Sequence, residues 1–237
     1  MRFRIGLEKG FEGHAIAWAL DYVGCFASGR NEEDALQRME WAVIQYADWM
    51  ASRTPNPWLT HEAIESDVIE LQVEETWECY HINGDYEIVE EGFEVDAWFL
   101  HDWRPLTAAD VERGMQVLSW TRADLLNTIS GLSPELLERR YPNERWSISG
   151  ILKHIGGAEW WYMDRLDLAS LSQELPKAPL ERLSYVRQAL YDCLPNLVGA
   201  ELVRGKDGEF WSPRKLLRRA AWHELDHIGH IQKLLQR

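Results

Sequence analysis

The sequence predicts an α+β module over residues 1–104 followed by an all-α four-helix bundle over residues 105–237. Three observations carry that division. Short alternating apolar runs fill the first part, whereas apolar residues recur at helical spacing in the second. Charge breaks at the same place: residues 1–104 hold 7 Lys+Arg against 22 Asp+Glu, and residues 105–237 hold 18 against 17. The cap-then-proline signal that opens helices appears in the second part, at Ser133-Pro134 and Ser212-Pro213.

In the first part, Phe3, Ile5 and Leu7 alternate with Arg4 and Gly6, and residues 14–20 form a second apolar run. Gly24 and Gly29 mark turns. Asn31 is placed to cap a helix to about Met50, with Ala35, Met39, Ala42, Val43 and Tyr46 as its buried stripe. Thr54-Pro55-Asn56-Pro57 ends it. Ile69, Leu71 and Val73 alternate with charged and polar residues, as in a half-buried strand. Residues 79–82 and 86–89 flank Asn83-Gly84, which predicts a hairpin because both residues tolerate positive φ. Residues 93–100 predict one more strand.

Within this part, Ala17-Trp18-Ala19, Asp21-Tyr22-Val23-Gly24-Cys25 and Gly29-Arg30-Asn31-Glu32-Glu33-Asp34-Ala35-Leu36 resemble the HicB-like antitoxin module. The resemblance covers about the first 50 residues. It implies an interaction module that binds a protein partner.

In the second part, Thr107 with Asp110 three residues on resembles a capping box. Val111, Met115, Leu118, Leu125 and Ile129 mark the helix that follows, ending near Gly131. Ser133-Pro134 starts a short helix, Ser147 caps a longer one over about 148–169, and Pro179 opens another to about Leu194. Ser212-Pro213 launches the last, over about 213–236. Long helices with modest connections predict the bundle.

Composition excludes several roles. A hydrophobic content of 46% with 27% charged residues places the chain among globular proteins. The acidic first part argues against nucleic acid, which demands clustered Lys and Arg. The opening MRFRIGLEKG lacks the apolar core of a signal peptide, and no run is long and apolar enough for a membrane span. Cys25, Cys79 and Cys193 are odd in number and far apart. Unpaired thiols in a cytoplasmic protein are expected.

The chemistry is expected on the last helix. His223 and His227 stand at i and i+4, about one turn or roughly 6 Å apart, a spacing that lets two imidazoles converge on one divalent ion. At 100° per residue they share a stripe with Leu216, Ala220, Ile231 and Leu234 and so point inward. Two imidazoles buried without a metal would be costly to desolvate. His230 lies on the same side, but about 10 Å along the axis from His223, so it is expected beside the ligand set or at the surface. Only ten residues follow His227, so a third ligand is sought upstream among His14, His61, His81, His101 and His154. Only His154 falls on a bundle helix, with apolar Ile151 and Ala158 one turn away. Three histidines leave a coordination position open, as in catalytic sites.

The segment Arg145-Trp146-Ser147-Ile148-Ser149-Gly150-Ile151-Leu152-Lys153-His154-Ile155 resembles the DinB/YfiT-like superfamily, as does Trp211-Ser212-Pro213 running on to His223-Glu224-Leu225-Asp226-His227. The resemblance implies a four-helix bundle whose metal ligands are His154, His223 and His227, with zinc or nickel suited to imidazole. It further implies a small-molecule substrate, often a low-molecular-weight thiol in S-transfer or thiol-linked isomerisation, a stress-response setting, and homodimers. The functional expectation is therefore a metal-dependent transferase, or a hydrolase using activated water. The alternative is a non-catalytic interaction protein that the metal staples together. A weaker alternative is a zinc protease, because His223-Glu224-x-x-His227 fits HExxH with Glu224 as general base. The extended protease motif fails, with His230 where Gly is needed and Lys233 where His is needed. Glu224, Glu159 and Arg219 are the catalytic candidates, with Tyr162 and Asp226 as further polar neighbours. The run Arg214, Lys215, Arg218 and Arg219 is expected to form a solvated face, with Arg219 near enough to His223 to pair with a substrate carboxylate. Cys193 is given no role.

Overall fold

A computed structural model describes residues 1–65 and 68–237. They divide into two compact units: residues 1–103 with 205–210, and residues 104–204 with 211–237. The first is strand-rich and the second helical.

The first unit is built on a four-stranded sheet. Strands β1 (Arg2–Phe11), β2 (His14–Ala19) and β3 (Phe26–Gly29) form an antiparallel meander. Helix α1 (Glu32–Ala51) follows and packs on β3 and β2. Asn31 caps it, its side chain accepting from Asp34 N at 2.9 Å. Ala35, Met39, Val43, Tyr46, Ala47 and Met50 are its buried face. The close approach of β3 to α1 needs Gly29, since a Cβ there would meet Ala35 N at 2.2 Å. After the short α2 (His61–Glu65), β4 (Glu70–Glu78) joins the other edge of the sheet, parallel to β1, giving the order β3-β2-β1-β4. A register shift opposite Ile5 and Gly6 changes which residues of β4 turn inward, so its apolar alternation does not persist along the strand.

Strands β5 (Tyr80–Ile82), β6 (Ile88–Val89) and β7 (Phe93–Val95) form a small second sheet. The hairpin at Asn83-Gly84 is present but wider than a two-residue turn. Asn83 Oδ1 accepts from Asp85 N at 2.9 Å and Glu87 N at 3.0 Å, and the left-handed residue is Tyr86, with φ 63°. The strand expected over 93–100 stops at Val95. Beyond it, Ala97 N donates to Glu8 Oε1 and Phe99 N to Asp102 Oδ2, so side chains take the place of a neighbouring strand. A 3-10 turn, Leu100–Trp103, closes this stretch.

The second unit contains α3 (Ala108–Ile129), α4 (Pro134–Glu138), α5 (Ile148–Asp164) and α6 (Pro179–Cys193). A hairpin of β8 (Arg204–Lys206) and β9 (Glu209–Trp211), whose residues 205–210 belong to the first unit, precedes α7 (Pro213–Leu235) in the chain. The capping box at Thr107 and Asp110 is formed in full. Helix α5 ends earlier than its sequence suggests. Asp167 turns left-handed at φ 59°, and the amides of Asp167 and Leu168 bond back to Asp164 O and Met163 O, a Schellman closure made without glycine. The β8–β9 turn, missed in the sequence, carries its signal in Asp207-Gly208, both at positive φ. Helix α7 packs on α3 and α5, and α5 packs on α6. Among the described residues, no helix is long and apolar enough to cross a membrane. Cys25, Cys79 and Cys193 are free thiols.

Glu8 is the polar pin of the first unit. It is fully buried, and accepts from Trp18 Nε1 at 2.9 Å and Ala97 N at 2.8 Å. Glu8→Ala should cost about 1–3 kcal/mol for each donor left without an acceptor. Urea denaturation measures this, and a loss below about 0.5 kcal/mol would show that Glu8 does not hold the 97 segment to the sheet.

Candidate metal centre

Three helix-borne histidines meet in the second unit. His154 comes from the middle of α5, and His223 and His227 from successive turns of α7. His223 Nε2 lies 3.1 Å from His154 Nε2 and 3.1 Å from His227 Nε2. One ligand atom from each residue falls within a 4.8 Å group. The ring of His227 stands at 90° to that of His223 and 85° to that of His154.

Local sequence explains the placement. Ser147 caps α5, accepting from Gly150 N, and starts the count that puts His154 two turns in. Ser212 and Pro213 do the same for α7. An apolar cluster locks the two helices together: Ile151, Leu152 and Ile155 on α5, Ile228, Ile231 and Leu234 on α7. Trp146 lies on α5 over Gly150, where a Cβ would come within 2.9 Å of Trp146 Cβ, and its ring stacks on His154 at 4.4 Å. Tyr162 stands edge-on to His223 at 6.0 Å.

A second, largely buried polar cluster draws one charged residue from each of four helices, with Thr121 of α3 beside them. Glu224 on α7 accepts from Thr121 Oγ1 at 2.5 Å, Arg122 Nε at 2.6 Å and Arg187 Nη2 at 2.9 Å. Glu159 on α5 accepts from Arg187 Nε at 2.9 Å and Nη2 at 2.7 Å. Arg122 belongs to α3 and Arg187 to α6. Burial works against the Arg187 charge, but Glu159 and Glu224 outweigh it and hold its pKa well above the ordinary value. Burial likewise opposes ionised Glu224, and Arg187 and Arg122 overcome it, so the carboxylate stays charged.

These contacts separate the candidates. The trio of His154, His223 and His227 is brought together. Glu224 and Glu159 are committed to arginines, and the Glu224 carboxylate is no general base waiting for water. His230 sits outside the trio, with Nε2 3.0 Å from Glu144 Oε2. Asp226 is exposed. His14, His61 and His81 find local partners in Glu12 O, Asp48 and Glu94. The basic run is not a solvated face: Lys215, Arg218 and Arg219 are buried, and Arg214 bonds Arg104 O, Pro105 O and Asp110. Aromatic faces receive two of these charges, with Lys215 Nζ 4.5 Å above Trp211 and Arg219 Cζ 4.2 Å above Trp222. Arg219 is thereby tucked beside Trp222. The sequence pattern missed the arginines of the buried network, because Arg122 and Arg187 read as ordinary polar positions on amphipathic helices.

The trio suits a divalent ion. Burial, with the charges of His227 and His154 behind it, pushes the His223 pKa well below its ordinary value. Burial, then His154, lowers His227 to about 3. Burial, then Arg145, lowers His154. All three are neutral at pH 7 and can offer lone pairs. Each Nε2 carries either one hydrogen or one lone pair, so His223 Nε2 cannot satisfy both neighbours as donor and acceptor. A cation between the three satisfies all of them. Two imidazole nitrogens on one tetrahedral zinc stand about 3.3 Å apart, close to the separations seen here.

Residues 118–231 match the family model of the DinB superfamily. The match runs from within α3 to within α7 and includes all three histidines, so the helical part carries a DinB-like domain. Comparison with curated proteins and with solved structures found no match.

Two outcomes follow from this geometry. Glu224→Gln, which takes an anion from buried Arg187 and half-buried Arg122, should cost about 3–5 kcal/mol in urea denaturation. A cost under about 1 kcal/mol would mean the network carries little of the packing. For the chelated, metal-free protein, all three histidine pKa values lie below the unfolded value of about 6.5, so the unfolded chain takes up protons first. Its Tm should hold above about pH 6.5 and fall as pH drops towards about 5, before the carboxylates titrate. His227→Gln should flatten that limb, and an equally steep fall in the variant would count against the trio as its source.

Proposed function

We propose that the helical unit binds a divalent ion through His154, His223 and His227 and uses the remaining coordination position for metal-assisted chemistry on a small molecule. The observation that supports it is the meeting of three neutral imidazole nitrogens from two helices, with no carboxylate among the described residues joining the set. Zinc and nickel both suit such donors. When bound, the ion lowers the pKa of a thiol or a water, so the two reactions in view are transfer of a low-molecular-weight thiol and hydrolysis.

The chain's own residues have separable tasks in this reading. His154, His223 and His227 hold the ion, and their depressed pKa values keep one ring nitrogen of each unprotonated for it. Trp146 fixes the plane of His154 by stacking. Glu159 and Glu224, through Arg187 and Arg122, tie α5 and α7 to α6 and α3, so the ligand-bearing helices keep one register. Cys193 has no part, since burial raises its thiol pKa and favours the unreactive form. For the acidic strand-rich unit we propose only partner binding, on its HicB-like residues and its excess of acidic side chains.

Metal analysis tests the site. The purified protein should carry a divalent ion, and His227→Ala and His154→Ala should each weaken its binding by at least ~100-fold, more than loss of an outer hydrogen-bond partner costs. Undiminished metal in His154→Ala would remove α5 from the site. Metal retained alongside no thiol-dependent or hydrolytic turnover would favour a structural staple over an enzyme.

A further inference from the structure

Arg145 stands at the edge of the trio with its charge unanswered. It lies three residues before the first helical position of α5 and is exposed. Its guanidinium Cζ is 4.6 Å from the centroid of the Trp146 ring, and that ring stacks on His154. Arg140 Nη1 donates to the Arg145 carbonyl at 3.1 Å, anchoring the backbone beneath it. Among the described residues, the Arg145 guanidinium makes no ion pair or hydrogen bond. The neighbouring carboxylate, Glu144, is already taken by His230 at 3.0 Å and Arg237 at 2.8 Å. A cation is thus held by stacking next to a metal ligand, while the anion beside it in sequence is committed elsewhere.

We propose that Arg145 recognises a carboxylate on the molecule that enters the site, so the ligand class is a small acidic compound whose other end reaches the ion. This rests on the metal-site reading above. Arginine suits the task because its planar fork donates two parallel hydrogen bonds to a carboxylate, and because contact with the Trp146 ring engages none of its N–H groups in a hydrogen bond with a described residue. Two features of the chain serve this placement. Gly150 clears the space Trp146 occupies on α5, and the Glu144–His230–Arg237 cluster withholds the one carboxylate adjacent in sequence. Arg145 acts here as a specificity-determining residue and has no role in holding the ion.

The test uses the full chain loaded with Co²⁺ and three thiols: neutral 2-mercaptoethanol, and the acidic 3-mercaptopropionate and 6-mercaptohexanoate, which place the carboxylate at two reaches. Thiolate-to-cobalt absorption reports binding. At least one acidic thiol should bind about tenfold more tightly than the neutral one, the gain of one charge-assisted pair. Arg145→Gln should abolish that preference while leaving 2-mercaptoethanol unchanged, and Arg145→Lys should retain part of it. An undiminished preference in Arg145→Gln overturns the proposal, as does no preference in the unaltered protein. Protein that takes up no cobalt overturns the metal reading instead. Protein that holds cobalt but shows no absorption with any thiol overturns the open position. The three failures are therefore distinct. Arg145→Gln changes an exposed side chain, and far-UV circular dichroism checks that it folds.

Discussion

The buried set of Arg122, Glu159, Arg187 and Glu224 is the constraint on which the helical unit depends. Each charge comes from a different helix, and each carboxylate is shared with an arginine at hydrogen-bonding distance. Charges taken out of water gain little net stability over a well-packed apolar core, but an unpaired one is heavily penalised. The set therefore disfavours every register of the four helices except the one that pairs them all. Glu224 follows His223 directly, and Glu159 lies five residues beyond His154. The register that satisfies the ion pairs is thus the register that brings the three imidazoles together.

This arrangement gives the His-Glu-x-x-His string a meaning its literal motif does not. Neighbouring residues on a helix point about 100° apart. On α7 that angle sends His223 towards α5 and Glu224 towards the arginines of α3 and α6. A protease needs the glutamate beside the metal and free to take a proton. Here the same spacing serves two different surfaces of one helix, one bearing the histidines and one the buried ion pairs.

Much of the site was legible because helices repeat regularly. The i,i+4 pair and the apolar stripe from Leu216 to Leu234 fixed which face of α7 turns inward, and the Ser caps fixed where α5 and α7 begin. The strand-rich unit was legible where alternation held, at Phe3, Ile5 and Leu7, and failed where side chains replaced backbone partners. The segment after Val95 reads as a strand but bonds to the Glu8 and Asp102 carboxylates. Asn83 likewise widens its own turn and passes the left-handed conformation to Tyr86. The end of α5 was missed because an aspartate, Asp167, adopts the conformation normally reserved for glycine. The basic run of α7 was misread because cations are expected in water, whereas Trp211 and Trp222 offer ring faces that hold two of them inside.

By itself, then, the sequence determined the local grammar: helix starts, inward faces and the histidine pair. These follow from short-range sterics and periodicity, which a few consecutive residues contain. The tertiary structure alone decided the pairing of β4 with β1, the partners of Glu8, the four-helix ion set and the stacking of Arg145, Trp146 and His154. Those depend on which distant groups share a low-dielectric interior or a common face. The energy of a charge or a lone pair is set by its neighbours in space, and no window along the chain holds them.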